Sequence, residues 1–197
     1  MKTSSRTPFL FFSLFLTFTL SITHAQTKYQ SIGGVKLVIL GTSNVHDWDM
    51  KSDQGYCSSL FHVTNTGTLH GVSNISFTVP AESLKSFNTN MDKNAYKALN
   101  TDKYSNISFT ASSIHIKPNG ATGYLLTAKG KLTISGVTKD VMITATGNLK
   151  ADKSINYTGA FKLKMTDYNV EPPAIMGGAV KSDEAVTIKF DLLLRSI

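Results

Sequence analysis

Apolar and polar residues alternate along most of the chain beyond residue 25, and a period of two marks strands with one buried face. Ile155, Tyr157, Gly159, Phe161, Leu163 and Met165 share one face, against Asn156, Thr158, Lys162 and Lys164 on the other. Val186, Ile188, Phe190, Leu192 and Leu194 repeat the pattern against Thr187, Lys189 and Asp191. Ile75, Phe77 and Val79 form a third face, and Ile107, Phe109 and Ala111 a fourth. In that fourth run the phase slips before Ile114 and Ile116, which predicts a bulge near Ser112 and Ser113. Leu126, Ala128, Leu132 and Ile134 form a fifth face, and Val141, Ile143 and Ala145 a sixth. Turn signals separate the runs at Pro118-Asn119-Gly120, Ser135-Gly136 and Ala151-Asp152-Lys153-Ser154. Two weaker β-runs come earlier, near Lys36 to Ser43 and Ser59 to Thr66. The expected total is eight or nine strands.

One segment breaks the alternation. From Thr89 to Leu99 the apolar residues Met91, Ala95, Ala98 and Leu99 recur at helical spacing. Thr89 is the expected cap, Asp92 sits near the positive end, and Asn100 is a plausible stop. Long antiparallel strands with a single helix suit a closed barrel or a two-sheet sandwich. Strand length favours the barrel, because closure removes edge strands. The chain is thus expected to be all-β, an antiparallel eight-stranded barrel with one short helix. A barrel of eight strands is either filled by side chains or holds one small ligand. The inward faces are apolar, so any cavity suits an apolar guest.

The first residues do not belong to this pattern. Lys2 and Arg6 precede an apolar stretch, Phe9 to Ile22, and Thr23-His24-Ala25 follows with small residues at the two positions that matter for cleavage. This three-part order predicts a secretory signal over residues 1–25, cut after Ala25. The stretch is shorter than the about 20 apolar residues of a spanning helix. One domain, residues 26–197, remains, with no linker, solenoid repeat or low-complexity tract. The expected location is outside the cytoplasm, periplasmic or secreted.

Charge changes the picture little. The 197 residues carry 20 basic and 13 acidic side chains. The basic residues are scattered singly, so no nucleic-acid footprint is expected. A lone cysteine, Cys57, excludes an intramolecular disulfide scaffold.

Catalytic motifs are absent: there is no G-x-S-x-G, H-E-x-x-H, P-loop or G-x-G-x-x-G. His46, His62, His70 and His115 have no metal-ligand spacing. His46-Asp47-Trp48-Asp49 is the densest polar cluster. It reads better as a strand end or turn with a packed Trp48 and solvated acids than as an acid–base or metal site. Cys57 reads better as a small apolar filler than as a reactive thiol. Asn74, Asn106 and Asn156 begin N-x-[ST] triplets, which matter only in a host that glycosylates them. No cofactor, metal or catalytic residue is expected.

Three stretches in order resemble the YceI-like family of exported lipid-binding proteins. Met91-Asp92-Lys93, Leu99 and Tyr104-Ser105-Asn106-Ile107-Ser108-Phe109 resemble its short helix and following strand, with Ser105 where the family usually has proline. Gly130-Lys131-Leu132-Thr133-Ile134-Ser135-Gly136-Val137-Thr138-Lys139 resembles its "GxLTIxGVTK" hairpin and is the most specific of the three. Asp167-Tyr168-Asn169-Val170-Glu171-Pro172-Pro173 resembles the segment before its final strand. Gly41 to Trp48 is similar to a version found in some members, whereas the more usual N-terminal His-Ser pattern is missing. The resemblance runs from about Lys36 to Arg195 and implies a lipocalin-like barrel around an elongated apolar cavity. The implied partner is an apolar lipid, such as an isoprenoid, quinone or fatty-acid-like chain, held without stable membrane insertion.

No family motif supplies a binding residue, so the candidate lining comes from the alternation: Phe109, Leu126, Phe161, Leu163, Met165 and Phe190. Three other readings stay open on sequence: an outer-membrane β-barrel, an enzyme centred on His46 or Cys57, and a filled, non-catalytic barrel.

Overall fold

The computed structural model describes residues 26–63, 69–120 and 123–197. The expected signal segment and its cleavage point at Ala25 lie outside the described residues, as do Thr64 to Thr66. The strands are β1 (Gln26–Ser43), β2 (Trp48–Val63), β3 (Leu69–Pro80), β4 (Asn106–Asn119), β5 (Gly123–Ile134), β6 (Val137–Leu149), β7 (Ile155–Lys164), β8 (Ala174–Ile175) and β9 (Val180–Ser196). One α-helix, α1 (Thr89–Leu99), lies between β3 and β4. Each long strand pairs antiparallel with its neighbour, in the order β1-β2-β3-β4-β5-β6-β7-β9, and β1 pairs with β9. That last pairing closes an eight-stranded barrel. The two-residue β8 only extends β9 beyond the wall.

The predicted bulge is present: the register of β4 on β5 shifts between Ala111 and Ser113. Ser135 and Gly136 turn β5 into β6 with φ of 48° and 74°, the left-handed pair that a tight hairpin demands. At Thr89 the expectation needs correcting. The cap of α1 is Asn88, whose side chain accepts from the amides of Asn90 at 3.0 Å and Met91 at 3.1 Å. Asparagine wins because its planar amide oxygen reaches both exposed amides from an extended backbone. Asp92, in the first turn of α1, is buried, and its carboxylate accepts from the amide of Ser86 at 2.8 Å and its hydroxyl at 2.7 Å. Met165 also needs correcting as a strand residue: β7 ends at Lys164 and Met165 opens a 3-10 turn through Tyr168.

β1 and β2 are longer than the alternation foretold. In β1 the register slips between Gln30 and Val35, around Gly33 and Gly34. A side chain at Gly34 would collide with the carbonyl of Asp53, so glycine permits that close approach. The early half of β2 turns Ser52, Gly55 and Cys57 inward, and small or polar residues conceal a core face.

Candidate functional site

The barrel is solid at one end and hollow over the rest. At the solid end Tyr29, Phe61, Ile155, Tyr157 and Leu194 are fully packed. The rings of Tyr29 and Phe61 sit 4.6 Å apart at 56°, and Phe61 stacks on Tyr157 at 6.3 Å. Such aromatic pairs add to the stabilisation from buried area. Below this plug, two abutting chambers occupy the interior. The inner holds about 140 Å³ and the outer about 380 Å³. Ile39, Leu84, Ile107 and Ile188 line both, so they form the waist between the chambers. Their volumes suit a ligand site.

Incomplete burial of inward residues is the mark of the hollow. Ile75, Phe77, Phe161, Ile188, Phe190 and Leu192 face the interior yet stay only half-buried. A packed core leaves no such exposure. Glycine shapes the wall. The ring of Phe190 lies over Gly159, where an added Cβ would come within 2.3 Å of its Cζ. The ring therefore lies along the wall instead of filling the centre.

The structure puts all six sequence candidates on these walls. Phe109, Leu126, Phe161 and Phe190 line the inner chamber; Leu163 and Met165 line the outer one. Met165 keeps its inward position although its backbone has left the strand. Further lining residues come from segments without alternation. Met91, Ala95, Ala98 and Leu99 of α1 cover the outer chamber, and Tyr168, Val170 and Pro173 add another side. The helical spacing of the α1 residues signalled their shared face. Ser59, also on the inner wall, carried no such signal.

A network holds α1 over the opening. The chain before it is stitched to β2 by paired amide bonds between Lys51 and Lys85, at 2.7 and 2.8 Å. The Tyr96 hydroxyl reaches the carbonyls of Leu84 at 2.7 Å and Glu82 at 2.9 Å, and accepts from the Lys85 ammonium at 2.6 Å. That last bond raises the pKa of Lys85. At the rim, Phe87 and Met176 are exposed with positive φ, an uncommon conformation for bulky side chains.

The two residues that the sequence offers for chemistry sit apart, Cys57 on the inner wall and His46 among the residues lining the outer chamber. Cys57 is buried on the inner wall, and burial pushes its thiol up to about 12. At neutral pH it holds its proton and is a poor nucleophile. His46 lies in the β1–β2 turn, where its Nδ1–H donates to the carbonyl of Asp47 at 2.9 Å. Trp48 caps that turn by donating from Nε1 to the carbonyl of Thr42 at 3.0 Å, and Asp49 pairs with Lys51 at 2.9 Å. The cluster is thus a turn with solvated acids, as expected. Among the described residues, no group of three or more His, Cys, Asp or Glu could hold a metal.

The model of the YceI-like domain matches residues 21–194. This chain belongs to the YceI-like family. Among solved structures similar to it is BcnA of Burkholderia cenocepacia, at 17% identity, TM-score 0.64, covering 81% of this chain and 95% of that one. Another is a polyisoprenoid binding domain of Saccharophagus degradans implicated in plant cell wall breakdown, at 11% identity and TM-score 0.64, covering 88% of this chain and 100% of that one. A Campylobacter jejuni YceI protein matches at 15% identity and TM-score 0.51, covering 72% of this chain and 81% of that one. No curated protein matches the sequence. At these identities the likeness is one of fold, and the YceI-like barrel here has the hollow interior described above.

Proposed function

We propose that this YceI-like protein is an exported, non-catalytic carrier that holds one apolar amphiphile, isoprenoid, quinone or fatty-acid-like, inside its barrel. The carrying observation is the pair of apolar chambers that share Ile39, Leu84, Ile107 and Ile188, with Phe161, Ile188 and Phe190 only half-buried against them. A long hydrocarbon cannot cross water unaided, and its burial gains roughly 0.8 kcal/mol per CH₂. The name of the Saccharophagus degradans relative, a polyisoprenoid binding domain, supports the same class of guest. Phe109, Leu126, Phe161, Leu163, Met165 and Phe190 would contact it. Met165 and Met91 at the wide end adapt to guests of differing shape.

Surface chemistry disfavours the outer-membrane alternative. A membrane barrel turns an apolar band outward and keeps a polar interior. Here the outward positions carry Lys36, Lys129, Lys131, Lys162, Lys189 and Asp191, all exposed, and the interior is apolar. Among the described residues no helix is long and apolar enough to cross a membrane. Export itself rests on the basic, apolar and small-residue order of residues 1–25.

Native mass spectrometry of protein purified from its own host, with lipid extraction, tests the reading. A bound lipid and a polypeptide beginning at Gln26 are expected. Leu126→Trp and Leu163→Trp should each expel the lipid. A residue facing a void accepts the larger ring at little cost, whereas overpacking a filled core costs roughly 1–3 kcal/mol. No lipid in the wild type, together with a large fall in unfolding midpoint for both variants, would leave a filled barrel in its stead.

A further inference from the structure

Phe87 at 92%, Met176 at 78% and Val45 at 61% are, with the chain-terminal Ile197, the most exposed large apolar side chains among the described residues. All three sit at the mouth of the outer chamber. Each is the chain neighbour of a residue that lines it: Val45 precedes His46, Phe87 precedes Asn88, and Met176 follows Ile175. Asn44 ties two of these turns together. Its side-chain amide donates to the carbonyl of Ala179 at 2.9 Å, and its oxygen accepts from the amide of Lys181 at 2.9 Å. The turn bearing Val45 is therefore fixed beside the one between β8 and β9 that carries Met176. Phe87 stands on the chain stitched to β2 by the Lys51 and Lys85 amides, and the Lys51 ammonium lies 5.7 Å from its ring centroid. Phe87 and Met176 have left-handed backbones, with φ of 62° and 53°, which bulky residues rarely adopt. Side chains so exposed gain little packing to offset that conformation.

Charge is uneven around the same mouth. From residue 85 to residue 103 the exposed charged side chains are Lys85, Lys93, Lys97 and Lys103 against Asp102, while Asp92 is buried. The other two turns are flanked by Asp47, Glu171 and Asp183 against Lys181. We propose that the mouth docks on an anionic phospholipid bilayer, with Phe87, Met176 and Val45 in the interfacial layer and the lysines of α1 and its flanks against lipid phosphates. This rests on the carrier reading and deepens it: the guest passes between bilayer and chamber without exposing its chain to water. Separate tips on three turns suit a fluid lipid surface that closes around each, whereas a protein partner needs a contiguous patch of roughly 800 Å². The uneven charge sets the approach, so that the α1 side meets the anionic surface first.

Sedimentation of the mature protein with vesicles of equal parts phosphatidylcholine and phosphatidylglycerol tests the docking. Binding is expected, weaker on pure phosphatidylcholine and weaker as salt rises. Phe87→Ser and Met176→Ser should each weaken it roughly 5- to 10-fold, the worth of one partly buried apolar side chain. Lys93→Glu should weaken binding to the mixed vesicles and leave pure phosphatidylcholine unchanged. Unfolding midpoints should match the wild type's, because all three side chains are exposed. Uptake of the apolar fluorophore 1-N-phenylnaphthylamine from solution should also be unaltered, since none of the three lines a chamber. A wild type that takes up the fluorophore but ignores the vesicles, or serine variants that bind vesicles as the wild type does, would overturn the docking while the carrier stands. A dimer in light scattering that the serine variants abolish, with no vesicle binding, would assign the mouth to a second copy and overturn it too. A wild type that takes up neither the fluorophore nor lipid from the vesicles would instead overturn the carrier reading beneath it.

Discussion

The two ends of the barrel are built from the same alternating strands and end up physically opposite. At the plugged end Tyr29, Phe61 and Tyr157 interlock, and Ile155 and Leu194 have no exposed surface to speak of. The Asp152 carboxylate locks the β6–β7 turn by accepting from the Ser154 amide at 3.0 Å and from its hydroxyl, and Arg195 reaches it at 3.3 Å. At the open end the inward residues Leu163, Met165 and Ile188 stay half-buried, and the cover is α1 with its flanking chain. The difference comes from what crosses the barrel axis. Aromatic rings long enough to meet at the centre fill the first end. Aliphatic side chains that stop short of the centre line the second. Close packing therefore concentrates at the plug, and open volume concentrates beneath the helix, where local opening costs least.

That contrast can be broken most forcefully at its solid end. Phe61→Ala removes the ring at the middle of the plug and leaves a cavity that the rigid wall cannot close. The expected loss is about 3–5 kcal/mol, read from denaturant midpoints. A loss below 1 kcal/mol would mean that the plug is no more of a core than the chamber walls.

Ala95→Pro tests the other end. Proline inside α1 deletes a backbone bond and clashes with the preceding turn, at a cost of about 3 kcal/mol to the helix. The barrel strands do not depend on that bond, so hydrogen exchange should rise across residues 89–99 and remain slow in β5 and β6. Protection lost uniformly throughout the molecule would show that the cover and the barrel are a single cooperative unit.

The smallest expected effect comes from acid. Hydrogen bonds from the Lys164 ammonium at 2.6 Å and the Thr166 hydroxyl at 2.9 Å hold the Glu184 carboxyl below its ordinary value. At the plugged end the Ser154 hydroxyl and amide, with Arg195 beyond them, do the same for Asp152. Each group has a lower pKa folded than unfolded, so its contribution is complete above the unfolded value and is lost as the pH falls through the folded one. Both carboxylates are solvent-exposed, so the contributions are small and screened by salt. Unfolding midpoints should decline modestly as the pH falls below the ordinary carboxylate range, and less steeply in Asp152→Asn and Glu184→Gln. An unchanged slope in both variants would assign the acid sensitivity elsewhere.

Much of this molecule could be read along the chain, for a definite reason. Strands β5 to β7 and the inner part of β9 alternate without interruption, so each discloses its inward face; in β4 the bulge at Ser112 and Ser113 is visible as a slip in phase, and β3 slips at Asn74, so that only Ile75, Phe77 and Val79 mark its face. The helix was legible from its apolar stripe, although its cap was not, since Thr89 and Asn88 are both capping residues and only the backbone conformation chooses between them. What escaped was the wall built from small residues. Ser52, Gly55, Cys57 and Ser59 face inward on β2, yet no large apolar side chain marks their phase. The glycine pair in β1 hid its first half in the same manner.

By itself the sequence determined the class of fold, the approximate strands, the helix, and which residues of each strand share an inward face, because these depend on a local period of two or 3.6. It also carried the family, through motifs with a fixed order. Only the tertiary structure decided whether those inward faces meet. Hollow or filled is a question of side-chain reach across the barrel, set by strand pairing between β1 and β9 and by Gly159, which lets the Phe190 ring of the neighbouring strand lie back against the wall. No local pattern contains that information, because the atoms that fail to touch come from strands far apart in the chain.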